Sequence, residues 1–342
     1  MSKKSNGKIG VLLVNLGTPD TPNTPDVRKY LREFLLDKRV IDIPAIARYA
    51  LINGVIAPFR APKSAKIYKE LWTERGSPLL YHGLDLKEKL QTALGTGYYV
   101  AFGMRYQSPS IKNALEELRE QSVDRLIVLP LFPQYASAST GSVQDKIMEI
   151  VKDWWVIPNI SFISSFCDDP GFIKAFAELG KRHMAKDNYD FVVFSYHGVP
   201  ERHVLKGSDK GYCQLGACCN SYNKRNKYCY RASCFATSRL LAAELGLRND
   251  QYTVAFQSRL GKDPWLTPYT DFVLKELPAK GIKKVLAYSP AFVADCLETT
   301  IEVGEEFKEM FLEAGGEKWQ LVESLNSDPM WVDAVKEIVL QH

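Results

Sequence analysis

Short apolar runs alternate with stretches of helical periodicity along nearly the whole chain. Runs at 9–15, 98–104, 126–131, 159–165, 190–196, 252–257, 284–289 and 319–324 have the length and β-branched content of buried strands. Helical spacing of apolar residues predicts helices at 25–37, 82–94, 110–121, 142–153, 171–185, 232–245, 267–277, 295–313 and 329–340. Strands separated by helices predict an α/β fold with mainly parallel sheets, because parallel neighbours need a crossover. Pro25 stands in the first turn of the first helix, where a missing N–H is harmless. One segment breaks the alternation. Residues 40–59, VIDIPAIARYALINGVIAPF, carry only Asp42 and Arg48 as charges. They read either as a buried helix or as an apolar lip, about 34–60, that touches lipid or admits an apolar ligand. No run reaches the ~18 apolar residues of a membrane span.

The apolar pattern also repeats. Val14-Asn-Leu-Gly-Thr-Pro19 and Ser195-Tyr-His-Gly-Val-Pro200 share Gly-x-Pro at strand ends. Val100-Ala-Phe-Gly-Met-Arg105 matches Val254-Ala-Phe-Gln-Ser-Arg259, and Val128-Leu-x-x-x-Pro133 matches Val285-Leu-x-x-x-Pro290. Three matches in one order predict two similar Rossmann-like lobes, each a mainly parallel four-stranded sheet flanked by helices. The expected division is 1–166 and 167–342, with a cysteine-rich insert at 213–234 and a terminal helix placed to pack on the first lobe. All three matches fall at carboxyl ends of strands, where ligands bind in open α/β sheets. In this alignment Leu16 answers to His197 and Gly141 to Glu298, so ionisable groups lie in the second lobe.

With 342 residues, 46% hydrophobic and 25% charged, the chain has room for about two globular domains and is not disordered. Its 44 basic and 40 acidic residues leave a net charge of +4 without a basic block, so no nucleic-acid partner is expected. The start is polar, and the run 9–16 is too short for a secretory signal. The expectation is a cytosolic protein without structural disulfides. Five of its seven cysteines fall in Cys213-x4-Cys218-Cys219-x9-Cys229-x4-Cys234. Four thiolates can hold Zn2+ or an iron–sulfur cluster, leaving one spare, expected from the adjacent pair. Cys167 and Cys296 read as ordinary buried thiols. No Walker loop, G-x-G-x-x-G after a strand or Gly-x-Ser-x-Gly occurs, which argues against nucleotide binding and serine hydrolysis.

Two further features bear on chemistry. His197 ends a predicted strand and is either structural or a cleft imidazole that takes a proton or ligates a metal. Glu298, Glu302 and Glu306 are spaced four apart on one predicted helix. They form either a solvated acidic face or a row that passes protons or holds a cation through oxygen. On an α-helix the row drifts around the axis; a π-turn would align it.

Taken together, Val11-Leu-Leu-Val-Asn-Leu-Gly-Thr-Pro19, Leu129-Pro-Leu-Phe-Pro-Gln-Tyr135, Phe194-Ser-Tyr-His-Gly-Val-Pro200, Gln257-Ser-Arg-Leu-Gly-Lys-Asp-Pro-Trp-Leu266 and Ala291-Phe-Val-Ala-Asp-Cys-Leu-Glu-Thr299 resemble the ferrochelatases, over about residues 8–340 and in that family's order. The resemblance implies the two-lobed chelatase fold and a lyase that inserts Fe2+ into protoporphyrin IX with release of two protons, the last step of haem synthesis. It implies catalytic roles for His197 and Glu298, both also meeting the Fe2+ substrate. It implies a proton or iron path at Asp295, Glu302 and Glu306, and porphyrin contacts at Leu16, Ser77, Arg105, Tyr106 and Trp265. The lip favours the membrane-facing reading. Members acting on coproporphyrin carry Tyr where Leu16 stands, so Leu16 and the longer lip resemble the protoporphyrin type. Some microbial members hold a [2Fe–2S] cluster on internal cysteines. That implies iron–sulfur rather than zinc here, with the ligand set open among Cys213, Cys218, Cys219, Cys229 and Cys234. The implied partners are protoporphyrin IX and Fe2+. The implied location is the cytoplasm, free or peripheral to the inner face of the membrane; a homodimer stays open. Two other readings stand beside this one: a chelatase for another tetrapyrrole or metal (coproporphyrin, Co2+), and a non-catalytic haem or iron–sulfur sensor on the same fold.

Overall fold

Each predicted apolar run forms a strand in the computed structural model, which describes residues 7–208, 211–259, 261 and 263–342. Strands β1 (Ile9–Gly17), β2 (Tyr98–Tyr106), β3 (Arg125–Pro130) and β4 (Asn159–Phe162) form one sheet in the order β2-β1-β3-β4. Strands β5 (Phe191–His197), β6 (Tyr252–Gln257), β7 (Lys284–Tyr288) and β8 (Lys318–Leu321) form another in the order β6-β5-β7-β8. Every pairing is parallel. Helices cover both faces of a parallel sheet, so its inner strands are apolar throughout. Val11 to Val14 of β1 and Val193 and Phe194 of β5 are accordingly solvent-free. The α/β class and the paired-sheet architecture expected from the sequence are present.

The chain divides into two compact units. Residues through Leu131, Ser137–Ser164 and Asn326–His342 form the first; Phe132–Ala136 and Ser165–Leu325 form the second. The terminal helix Pro329–Leu340 therefore belongs to the first unit, where it packs on the helix Pro78–Leu94. Lys89 Nζ donates to the Ser327 carbonyl at 2.7 Å beside that contact.

The identical strand orders establish the internal repeat, and the strand register corrects two of the three sequence matches. Aligning Gly17 with Gly198 places Val14 on Ser195. Val14 pairs with Gly103, and Ser195 pairs with Ala255. Phe102, not Val100, is thus the counterpart of Val254, and Arg105 answers to Gln257 rather than to Arg259. On the third strands, the Ile163 N–H donates to the Val128 carbonyl and the Val322 N–H to the Ala287 carbonyl. Val128 therefore answers to Ala287, not Val285, and Glu298 corresponds to Ser139 rather than to Gly141. Both matches slip by two residues. An even slip keeps every side chain on the same face of its strand, so apolar patterning alone does not detect it.

Two departures from the expected helices matter for function. The predicted helix 295–313 is a π-helix over Glu298–Glu306 and an α-helix only over Phe307–Glu313. The lip is helical: Ala45–Leu51, a π-turn at Ile52–Ile56, then Ala57–Leu71, which runs through Pro62. Ile52 and Ala57 are buried, but Ile46 is 87% exposed, Phe59 73% and Tyr49 65%. The buried-helix reading thus holds for one side of the segment only. No described helix is long and apolar enough to cross a membrane.

Candidate active site

β5 delivers His197 to the carboxyl edge of the second sheet. The next residue, Gly198, donates its N–H to the Gln257 carbonyl at 2.8 Å, continuing the contact with β6 by one residue. A Cβ on Gly198 would lie 2.7 Å from that carbonyl oxygen and 3.2 Å from the Trp265 ring. Glycine is what allows strand and indole to approach so closely. Trp265 itself is fixed by a bridge to Pro200. The His197 carbonyl accepts from the Tyr230 hydroxyl at 2.8 Å. The imidazole Nδ1 lies 2.7 Å from the Gly198 carbonyl oxygen. A carbonyl can only accept, so Nδ1 carries a proton and Nε2 is the nitrogen left to exchange a proton or meet a metal. Phe292 meets the ring edge-on at 6.5 Å.

Beyond β7, the π-helix carries the acidic row. Its wider turn is visible where the Phe307 N–H donates to the carbonyl of Glu302, five residues back. Glu302 is the most constrained of the row. Ser258 Oγ lies 2.6 and 2.8 Å from its two oxygens, and Gln257 Nε2 donates to it at 3.0 Å. Burial pushes the Glu302 carboxyl above the usual range, opposed by the Ser258 hydrogen bond and the His197 charge, and reinforced by Glu298. Glu306 is exposed, so the row runs from Glu298 through partly buried Glu302 to the surface. Asp295 serves the framework: its Oδ1 accepts from the Ser324 N–H at 3.0 Å. His197, Glu298 and Glu302 thus share one electrostatic neighbourhood. They combine a borderline nitrogen with hard oxygens, donors suited to accepting protons or holding a divalent cation loosely. Among the described residues, no group of three or more His, Cys, Asp or Glu side chains is arranged to hold a metal ion.

In the first unit, Leu16 lies near the end of β1, partly exposed. Ser77 is buried and receives a hydrogen bond from Thr18 Oγ1 at 2.9 Å. Arg105 and Tyr106, at the end of β2, both converge on Asp37. Arg105 Nη2 lies 2.7 Å from Asp37 Oδ2, Arg105 Nε donates to Ser142 Oγ at 2.7 Å, and the Tyr106 hydroxyl donates to Asp37 at 3.0 Å. No sequence signal assigns a role to Asp37, Ser142, Gln257 or Ser258. Gln257 and Ser258 lie within a family-like motif, two of whose residues, Leu260 and Lys262, fall outside the described residues. Ser258 adopts φ 63°, a left-handed conformation that no glycine or asparagine announces.

The cysteine segment places Cys213, Cys218, Cys219 and Cys229 around one small cavity. Sγ of Cys218 and Cys219 lie 4.0 Å apart. The Cys219 thiol hydrogen-bonds to Cys229, holding its own proton more tightly and drawing the Cys229 thiol down. Cys234 is fully buried in the helix Tyr230–Glu244 and does not line that cavity. Spacing cannot see that the start of this helix turns Cys234 inward. Cys167 and Cys296 are both buried.

The chain is similar to known proteins in sequence and in fold. A family model described as Ferrochelatase matches residues 8–342. A ferrochelatase from Legionella pneumophila is 51% identical over 330 residues, covering 96% of this chain and 98% of its own. One from Coxiella burnetii is 44% identical, covering 99% and 95%. Among solved structures, SirB from Bacillus subtilis with Fe3+ superposes with a TM-score of 0.54 at 13% identity, over 98% of this chain and 95% of that one; at that identity the likeness concerns the fold. The family match and the full-length identities lead to one conclusion: the chain belongs to the ferrochelatase family.

Proposed function

We propose that this protein inserts Fe2+ into protoporphyrin IX, releasing two protons. A porphyrin is flat, and two N–H protons occupy the centre that iron must enter. Catalysis then requires binding that favours a puckered ring, and a base to take the protons. The observation that carries the reading is His197, its Nδ1 held by the Gly198 carbonyl, in the electrostatic neighbourhood of Glu298 and Glu302. His197 accepts pyrrole protons or presents the metal. Glu298 assists it, and Glu302 and Glu306 lead protons or iron along the row, with Asp295 anchoring its start. Leu16, Ser77, Arg105, Tyr106 and Trp265 keep the macrocycle contacts that the resemblance implies. Arg105 is already engaged by Asp37, so its part is to shape the pocket wall rather than to hold a propionate.

The thiols of Cys213, Cys218, Cys219 and Cys229 match a [2Fe–2S] cluster in donor type and number, though their present arrangement does not enclose a metal position and they would have to close around it. Such a cluster would cross-link the insert; metal insertion moves no electrons, so no step passes through it. The exposed apolar side of the lip is assigned to peripheral membrane contact.

The test is an assay on anaerobically purified protein, with its visible spectrum recorded first. The expected results are iron–sulfur absorbance and Fe2+ insertion into protoporphyrin IX faster than into coproporphyrin. Replacing His197 by Ala should lower turnover at least ~100-fold, as for loss of a general base. Wild-type turnover in that variant would remove the imidazole from the mechanism. Preference for coproporphyrin would replace the substrate, and a colourless protein with bound zinc would replace the cluster.

A further inference from the structure

Two hydroxyl groups in the second unit have no evident reason to be polar. Ser195 on β5 and Thr270, at the start of the helix Thr270–Glu276, are both 0% exposed, 75 residues apart in sequence. Ala and Val would fill the same space without the cost of desolvating a hydroxyl. Their hydrogen bonds supply the reason. Ser195 Oγ donates to Gln257 Oε1 at 2.6 Å. Its single proton is thereby used, so the 3.0 Å contact with Thr270 Oγ1 has Thr270 as donor. Gln257 Nε2 then has two N–H groups for two acceptors, the Glu302 carboxylate at 3.0 Å and the Glu298 carbonyl at 3.3 Å. The chain runs one way: Thr270 to Ser195, Ser195 to Gln257, Gln257 to the acidic row. Reversing the Gln257 amide would set its oxygen against both of those acceptors.

We infer that Ser195 and Thr270 are positioning residues for metal insertion, which fix the Gln257 amide so that its N–H groups hold Glu302 in place. Neither hydroxyl contacts Glu302. Each acts through Gln257, and Thr270 acts one hydrogen bond further away. The role rests on the assignment of Glu302 to proton or iron transfer made above. It predicts a defect in turnover rather than in porphyrin binding, because Glu302 and not the macrocycle is displaced.

The experiment compares Ser195→Ala, Thr270→Val, Thr270→Ser, Ser195→Ala/Thr270→Val, Gln257→Glu and Glu302→Gln, each confirmed as folded by circular dichroism. Ser195→Ala should lower kcat about tenfold, the lower end of what loss of an outer hydrogen-bond partner costs a metal site, with the porphyrin KM within about twofold. Thr270→Val should lower kcat by a smaller factor, and Thr270→Ser should restore it. The double variant should be no slower than Ser195→Ala, because both changes break one chain. Unchanged kcat in Ser195→Ala, equal losses in Thr270→Val and Thr270→Ser, a multiplicative double variant, or KM rising in step would each overturn the inference. Should Ser195→Ala fail to fold, the Thr270 pair and Gln257→Glu decide it. Gln257→Glu keeps the shape and the Ser195 bond but removes the donor, so wild-type kcat there is equally fatal. Glu302→Gln separates the two levels. Full activity in it defeats the role of Glu302 itself, whereas impaired Glu302→Gln beside unimpaired Ser195→Ala defeats only the positioning.

Discussion

Arg105 and Gln257 occupy corresponding places at the ends of β2 and β6, and the difference in their charge separates the chemistry of the two units. Gln257 is neutral and leaves Glu302 to be governed by burial. Arg105 is a cation with 13% of its side chain exposed, and it holds Asp37, with 5% exposed, as a buried ion pair. For Asp37, burial raises the carboxyl pKa, but the hydrogen bonds from Ser142 and the Arg39 N–H, together with the Arg105 charge, outweigh it and leave it lowered. A carboxyl lowered by folding stabilises the protein above its unfolded pKa of about 3.9, and that contribution is lost as pH falls through the folded value. Replacing Asp37 by Asn leaves Arg105 buried without a counter-charge. The expected loss at pH 7 is roughly 3–5 kcal/mol in urea unfolding. The gap from wild type should narrow as pH drops from about 4 through the lowered folded value, below which the wild-type carboxyl is also neutral. A difference below ~1 kcal/mol at pH 7 would mean that Arg105 finds water or another partner.

At the scale of elements, the strands were legible because both faces of a parallel sheet are covered, and their continuous apolar runs have no helical counterpart of that length. The acidic helix was legible, but its π-form only as an option: Glu298, Glu302 and Glu306 repeat every four residues, a row that drifts around an α-helix and that a π-turn would align. The helix Ala57–Leu71 was not legible, because Pro58 and Pro62 read as breakers. Pro58 stands in its first turn, where proline is tolerated, while Pro62 lies in its interior, where local rules oppose helix. Nor could the Ser195–Gln257–Glu302 chain be read, since it joins residues far apart in sequence through contacts that only the fold creates. The lip has a consequence of its own. Ile46 and Phe59 are exposed and support no core, so replacing both with Ser should leave the melting temperature unchanged. If the lip enters lipid, burying these two side chains is worth roughly 1.5–3 kcal/mol each. The double variant should therefore bind anionic lipid vesicles more than tenfold more weakly in co-sedimentation. Equal binding would place the membrane contact elsewhere.

At the scale of the whole molecule, the two units are alike in strand order but not in how the chain completes them. The second unit is built from Phe132–Ala136 and Ser165–Leu325, whereas the first recovers its last helix from the end of the chain. That helix is well specified locally. Asp328 Oδ1 accepts the Met330 N–H at 2.9 Å at its start, and Pro329 opens its first turn. Its buried residues, Trp331, Val332, Ala334, Val335, Ile338 and Val339, form one face, and Trp331 is 0% exposed. The first unit thus depends on residues distant from it in sequence, and its stability should respond to them as to any core position. Replacing Trp331 by Ala should cost about 3–5 kcal/mol, through lost burial and the cavity left behind. Leu340, on the same helix but 47% exposed, is the control; its replacement by Ala should stay within ~0.5 kcal/mol. The measurement is urea unfolding of both variants followed by far-UV circular dichroism. If Trp331→Ala unfolds at the wild-type midpoint, the terminal helix rests on the first unit without being part of its core, and the chain's return to that unit contributes nothing to holding it together.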